Sequence, residues 1–296
     1  MEQAGRLMKL ATYASVTVAS ILIAAKFAAW LATDSVSLLS TLIDSLLDAG
    51  ASLINLVAVR HSLQPADEEH RFGHGKAESL AGLAQAAFIC GSALFLFIEA
   101  GERLVRPQVI ANMDIGIIVM GVSIALTLLL VGFQKYVVVK TGSVAISADS
   151  MHYKMDVLVN ISVVASLILA TQMGWTYADP LFAIAIAAYI VWGAWQIGHE
   201  AYQVLMDREL PDEDRQRIID IACEHADVHD VHDLKTRSSG TQTFIQLHLE
   251  MDGEMPLMRA HEIADEVMVS LMKAFPRSEV IIHEDPEGID EPRQDF

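Results

Sequence analysis

Cysteine is almost missing from this chain: Cys90 and Cys223 are the only two in 296 residues. Cys90 lies in an apolar run and Cys223 in an acidic one, so neither a disulfide framework nor a cysteine zinc site is available. Positive charge is scarce as well, with 20 Lys and Arg against 38 Asp and Glu. That balance argues against a nucleic-acid partner. Also absent is His-Glu-x-x-His, the helical zinc motif with its general base. His199-Glu200, His261-Glu262 and His283-Glu284 each lack the second histidine. No catalytic residue and no organic cofactor is nominated.

What the chain has is apolar sequence. It is 53% apolar with a mean hydropathy of +0.37, outside the range of ordinary soluble proteins. The apolar residues gather in six segments, near 8–31, 36–60, 79–101, 114–138, 143–171 and 178–203. Most reach ~20 residues, the length that spans ~30 Å of hydrocarbon. The first is too long for a cleavable signal and is read as a span. Near the span ends, Arg6, Lys9, Arg60, Arg71, Lys76, Lys135 and Lys140 fall on one side, and only Arg103 and Arg106 on the other. The positive-inside rule then puts both termini in the cytoplasm.

Two patterns interrupt these spans: Asp44-x-x-x-Asp48 in the second and His152-x-x-x-Asp156 in the fifth. Residues four apart share a helix face. A charge at bilayer depth costs at least ~2.5–3.5 kcal/mol, so such groups need partners. Three carboxylates and an imidazole converging on one divalent cation satisfy that need, and an oxygen/nitrogen set suits zinc or ferrous iron. Lys154, two residues from His152, faces away from the pair. Lys26 and Asp149 are expected at the interface, snorkelling outward. A shift of 108 residues aligns Asp44 with His152 and Asp48 with Asp156, a faint internal repeat.

Residues 208–296 differ in kind. They hold 22 Asp and Glu against 9 Lys and Arg and contain no run able to span a membrane. Residues 211–226 open on Pro and acids and continue with helical apolar spacing. The stretches on either side of Ser238-Ser239-Gly240 alternate as a hairpin, 257–275 is a second amphipathic helix, and 279–285 a last strand. The order is α-β-β-α-β, a small cytoplasmic α+β domain of ferredoxin-like type. The expected division is a membrane all-α part of six transmembrane helices (1–207), this domain (208–290) and a C-terminal tail (291–296).

Two further clusters have metal-ligand character. Between the second and third spans, Asp67-x-x-His70-x-x-x-His74 has ligand spacing, and Gly73 and Gly75 let the loop fold inward. The tail holds six of the 11 histidines. His283 and Asp285 share a strand face, and His232, His248 and His261 sit on neighbouring elements. His225 and His229 are read as surface residues.

Together these residues resemble the cation diffusion facilitator family. The likeness rests on Asp44/Asp48 with His152/Asp156, the stretches PADEEH and FGHGKAESLA, the six spans, and FIQLHLEM with VIIHEDP in the tail. It covers nearly the whole chain. The resemblance implies a homodimer in the bacterial inner membrane that exports Zn²⁺, with Fe²⁺ and Cd²⁺ as alternatives, in exchange for protons by alternating access. It implies a transport site of Asp44, Asp48, His152 and Asp156, a loop site of Asp67, His70 and His74, and a two-metal tail site of His232, His248, His261, His283 and Asp285. Zn²⁺ is then both substrate and regulatory ligand. Glu284 departs from the Gln expected between His283 and Asp285, and as an acid it raises the local charge. The competing readings are a metal-sensing membrane receptor and a passive metal channel.

Overall fold

The computed structural model describes residues 2–33, 36–105, 114–173 and 178–288. Arg106 and the 291–296 tail lie outside the described residues. Two compact units result, Met1–Tyr202 and Gln203–Phe296.

The first unit is a bundle of long helices: α1 (Glu2–Thr33), α2 (Val36–Ser62), α3 (Lys76–Val105), α4 (Asp114–Thr141), α5 (Val144–Met173) and α6 (Ala178–Leu205). Among the described residues, all but α5 carry an apolar stretch long enough to cross a membrane. Helix α5 is of similar length at 30 residues and carries Asp149, Lys154 and Asp156. Large apolar side chains such as Phe95, Leu129, Val139 and Trp195 point outward. Water would not tolerate so much exposed apolar surface on one molecule; lipid does.

Small residues bring the helices together. Ala86, Ala93, Ala148, Ala194 and Ala201 are buried where α3, α5 and α6 meet. A Cβ added at Gly82 would stand 2.8 Å from Val144 Cγ1, and one at Gly193 would collide with Met151 Cε. Close helix approach through small side chains is the usual way membrane helices gain dispersion contact.

Asp149, expected at the interface, is instead at the centre of the bundle and 1% exposed. Ser15 Oγ donates to its Oδ2 at 2.6 Å and Gln134 Nε2 at 2.7 Å, while Ser52 Oγ and Gln85 Nε2 reach Oδ1 at 3.4 Å. These donors come from α1, α4, α2 and α3, so one carboxylate ties five helices. Burial of such a group is tolerable because donors surround it.

The second unit contains α7 (Asp212–Cys223), β1 (Asp230–Ser239), β2 (Gln242–Met251), α8 (Leu257–Ala274) and β3 (Ser278–Pro286). Strands β1 and β2 form an antiparallel hairpin turned at Gly240, whose φ of 60° suits a residue without Cβ. Helix α8 is the crossover that makes β3 parallel to β2. Ile245, Leu247 and Leu249 of β2 pack against Ile218 of α7 and Ile263, Val267 and Leu271 of α8. Both helices therefore cover one sheet face and leave the other open. A bulge follows His232, with Asp233 at φ 48°, a conformation Asp tolerates.

Candidate metal centres

In the bundle, α2 and α5 bring Asp48, His152 and Asp156 into one set, with a ligand atom from each within 4.8 Å of the others. His152 Nε2 is 2.8 Å from Asp48 Oδ1 and the ring is 2% exposed. Its other nitrogen, Nδ1, is buried without a hydrogen-bond partner among the described residues. Phe88 and Tyr153 flank the ring, at 6.0 and 5.8 Å between centroids. Two carboxylates and an imidazole at this separation can hold one divalent cation of borderline softness.

Asp44 stands apart. It is exposed one turn ahead of Asp48 and is not in the close set. It remains in electrostatic reach of Asp156 and Lys26. Lys26, expected to snorkel, turns inward: its Nζ donates to Ser45 Oγ at 2.6 Å and feels Asp48, Asp156 and Asp44. Lys154 turns to the Tyr189 hydroxyl and lies 4.9 Å from that ring's centroid.

The loop after α2 gathers Asp67, His70 and His74. Asp67 Oδ1 accepts the backbone N–H of His70 at 2.6 Å and of Glu69 at 3.0 Å, closing a tight turn. Those bonds, His70's first, hold the carboxyl below the usual carboxylate range. Asp67 then faces His70 Nδ1 and His74 Nε2, each at 3.3 Å. Gly73, at φ 75°, provides the bend that returns His74 inward, where it is 8% exposed. Spacing does not flag His61, yet its ring packs edge-on against His74 at 4.5 Å. It lies at the end of α2, six residues before Asp67, outside any helical ligand spacing.

On the open face of the sheet, strand register sets His232, His248 and His283 side by side across β1, β2 and β3. Asp285 lies at their centre. Its Oδ2 is 3.0 Å from His232 Nε2 and 2.7 Å from His248 Nδ1, and its Oδ1 is 3.0 Å from His283 Nε2. Burial would raise this carboxyl, but the His248 hydrogen bond, the His283 and His248 charges and the His232 hydrogen bond hold it below its ordinary range. Glu284 pairs in register with Leu249 and so belongs to the opposite side of the strand.

His261 does not join. It is exposed on α8 and faces Asp265 at 3.6 Å. The reason is topological: α8 packs on the apolar face of the sheet, whereas Asp285 and its imidazoles occupy the other. His225 and His229 pair with Glu266 and Glu287 at 3.2 and 2.8 Å, away from Asp285.

A helical membrane unit with a buried cation-ligand set, followed by a small domain with a second such set, defines a membrane transporter of cations. The chain belongs to the cation efflux family: residues 12–206 match its transmembrane domain and 210–287 its cytoplasmic domain. It is 52% identical over 96% of its length to the Cation-efflux pump FieF of Serratia proteamaculans (strain 568), covering 94% of that protein. It is 51% identical over 95% of its length to the Cation-efflux pump FieF of Escherichia coli O127:H6, again covering 94% of it. The metal-bound C-terminal domain of the CzcD transporter from Thermotoga maritima is 28% identical over 28% of this chain and 100% of that one, with a TM-score of 0.26.

Proposed function

We infer that this transporter exports Zn²⁺ from the cytoplasm in exchange for protons, with Asp48, His152 and Asp156 as the core of its transport site and Asp44 at its edge. The single observation that carries this is the 2.8 Å contact between His152 Nε2 and Asp48 Oδ1. A hydrogen bond at that distance contains a proton, and it occupies the position between two ligands that a cation would take. A metal ligand must be deprotonated to bind, so the entering cation displaces that proton. Returning protons then displace the cation on the other side, and exchange follows from competition for the same lone pairs.

The donor set favours Zn²⁺ or Fe²⁺, since it offers oxygen and nitrogen and no thiolate; Cd²⁺, a softer ion, fits less well. The asymmetry of Lys and Arg supports cytoplasmic termini and a bacterial inner-membrane location. Exposed Leu257, Met258, Val269, Met272 and Ile281 on the small domain support a homodimer, because such residues usually seek a partner surface. The Asp285 centre and the Asp67 loop serve regulation and capture rather than conduction.

The test is purified protein in lipid vesicles, with zinc flux and lumenal pH recorded together. Antiport requires that a zinc gradient drive opposite proton movement. Zinc flux with no proton dependence would make the protein a channel. Asp48→Ala and Asp156→Ala should each reduce flux to background in protein that still folds, and near-normal flux in either would move the site elsewhere.

A further inference from the structure

The Asp48–His152 contact is one of a series along α2 and α5. Asn55, seven residues beyond Asp48, donates from Nδ2 at 3.1 Å to the backbone carbonyl of Ala145, seven residues before His152. Between these two, Ser52 Oγ reaches Asp149 Oδ1 at 3.4 Å and shares a 2.9 Å hydrogen bond with the Tyr153 hydroxyl. The two helices therefore run antiparallel, and Asn55–Ala145 lies two turns, about 10 Å, from the ligand pair. Seven residues return a helix to nearly the same face. Ala145 and His152 accordingly look toward α2 together, as Asn55 and Asp48 look toward α5.

The N–H of the same Ala145 is held from a third helix. Glu78, in the first turn of α3, accepts it at 3.4 Å, accepts the Val144 N–H as well, and receives the Ser143 hydroxyl on Oε1. Ser143 Oγ in turn accepts the Ile146 N–H at 3.2 Å. The N–H groups that begin a helix have no partner within it. Here another helix supplies the acceptor, a carboxylate at the end of α5 where the helix dipole favours one. Glu78 and Asn55 are both buried. The Asn55 Oδ1 has no hydrogen-bond partner among the described residues, so that amide is oriented by Ala145 through its nitrogen alone. Only Gly142 and Ser143 separate α4 from α5, and the first turn of α5 has little slack.

We propose that Asn55 and Glu78 are positioning residues for the bundle site. Holding Ala145 from α2 and α3, they fix the height and rotation of α5, and with them the spacing of His152 and Asp156 from Asp48. Neither residue touches the cation. A metal site tolerates about 0.2 Å in its ligand distances, so a shift of α5 far smaller than the ~1.5 Å rise of one residue is enough to spoil it. Fixed spacing also selects among ions, because selectivity resides in geometry more than in raw affinity. The proposal rests on the reading of Asp48, His152 and Asp156 as the transport site.

The experiment is zinc and cadmium uptake by full-length protein in lipid vesicles, measured against metal concentration, with thermal unfolding in detergent alongside. Glu78→Ala and Asn55→Ala should each raise the zinc KM about tenfold or more, as loss of a supporting contact does at metal sites. Each should also move the Zn²⁺-to-Cd²⁺ preference toward Cd²⁺, since slack spacing admits the larger ion. Glu78→Gln keeps an acceptor oxygen and should stay close to wild type. Both residues act through one peptide, so the double alanine variant should add little to the worse single one. A lowered unfolding midpoint with KM and metal preference unchanged would make the two ordinary packing groups and overturn the proposal. Glu78→Gln failing as badly as Glu78→Ala would overturn it too. Should Glu78→Ala not fold, Asn55→Ala and Glu78→Gln carry the same comparison. Asp48→Ala keeps the two readings apart. Near-normal flux there would remove the transport site itself, whereas lost flux there beside wild-type KM in Asn55→Ala and Glu78→Ala would sink this proposal alone.

Discussion

His152 on α5 and Asp48 on α2 approach to 2.8 Å, while Asp44, on the same helix as Asp48, stays outside the set they form with Asp156. The four residues are therefore not equivalent. Asp44→Ala is expected to weaken zinc binding at the bundle site by about tenfold, equal to ~1.4 kcal/mol. Asp48→Ala should remove measurable binding there. Titration of protein lacking the loop and tail ligands checks this, and equal effects of the two substitutions would contradict the ranking.

Lys26 supplies a positive charge beside the same site, held by Ser45 at 2.6 Å. It neutralises part of the carboxylate charge before metal arrives and repels a divalent cation that enters. Lys26→Met should tighten zinc binding roughly tenfold, through loss of a nearby like charge in a medium of reduced dielectric. Unchanged or weaker binding in Lys26→Met would show that this lysine does not oppose the cation.

Much of this was open to reading from sequence, and the failures have a common cause. The six long helices and the α-β-β-α-β order follow from hydropathy and local period, which depend on neighbours along the chain. Asp48, His152 and Asp156 follow too, because an acid in an apolar helix needs a partner. Asp149 and Lys26 read as interfacial, since their donors and acceptors come from other helices that spacing does not identify. Asp44 shares a face with Asp48 by helical spacing, yet the close set is Asp48, His152 and Asp156, and Asp44 acts on Asp156 electrostatically. His261 belongs to the expected tail site by its neighbouring element and by the family resemblance. Within this chain α8 carries it on the other side of the sheet from Asp285, because Ile263, Val267 and Leu271 are the residues buried against the strands.

The Asp149 network predicts a stability effect separate from transport-site chemistry. Asp149→Ala leaves the Ser15, Ser52, Gln85 and Gln134 donors without their shared acceptor. A buried donor left unpaired costs about 1–3 kcal/mol, so the loss should be roughly 3 kcal/mol or more. Asp149→Asn, which keeps one acceptor oxygen, should lose less. Thermal unfolding in detergent measures both, and an unaltered midpoint in Asp149→Ala would remove the network's structural role.

Asp285 contacts the imidazoles of His232, His248 and His283. His283→Ala with Asp285→Ala should abolish zinc binding at that centre and weaken association of the acidic domains, whose charges the metal offsets. Zinc flux should fall severalfold and yet persist, because the conducting ligands lie in the bundle. Complete loss of flux with an intact bundle would make the tail part of the path.

The sharpest test of coupling is the pH dependence of zinc affinity at the bundle site, with loop and tail ligands removed. Protons and zinc compete for the same lone pairs, so affinity must fall as pH falls. Each proton displaced on binding contributes about one to the slope of log Kd against pH. His152 lies inside the close set and shares a hydrogen bond with Asp48, so it is the group best placed to give up a proton when zinc enters. His152→Asn keeps a neutral side chain of similar size that does not titrate. Its slope between pH 5 and 8 should be smaller by about one, with the remaining dependence due to the carboxylates. Binding measured across that range for both proteins decides the matter. A slope identical to wild type would take the exchanged proton away from His152 and assign it to the carboxylates.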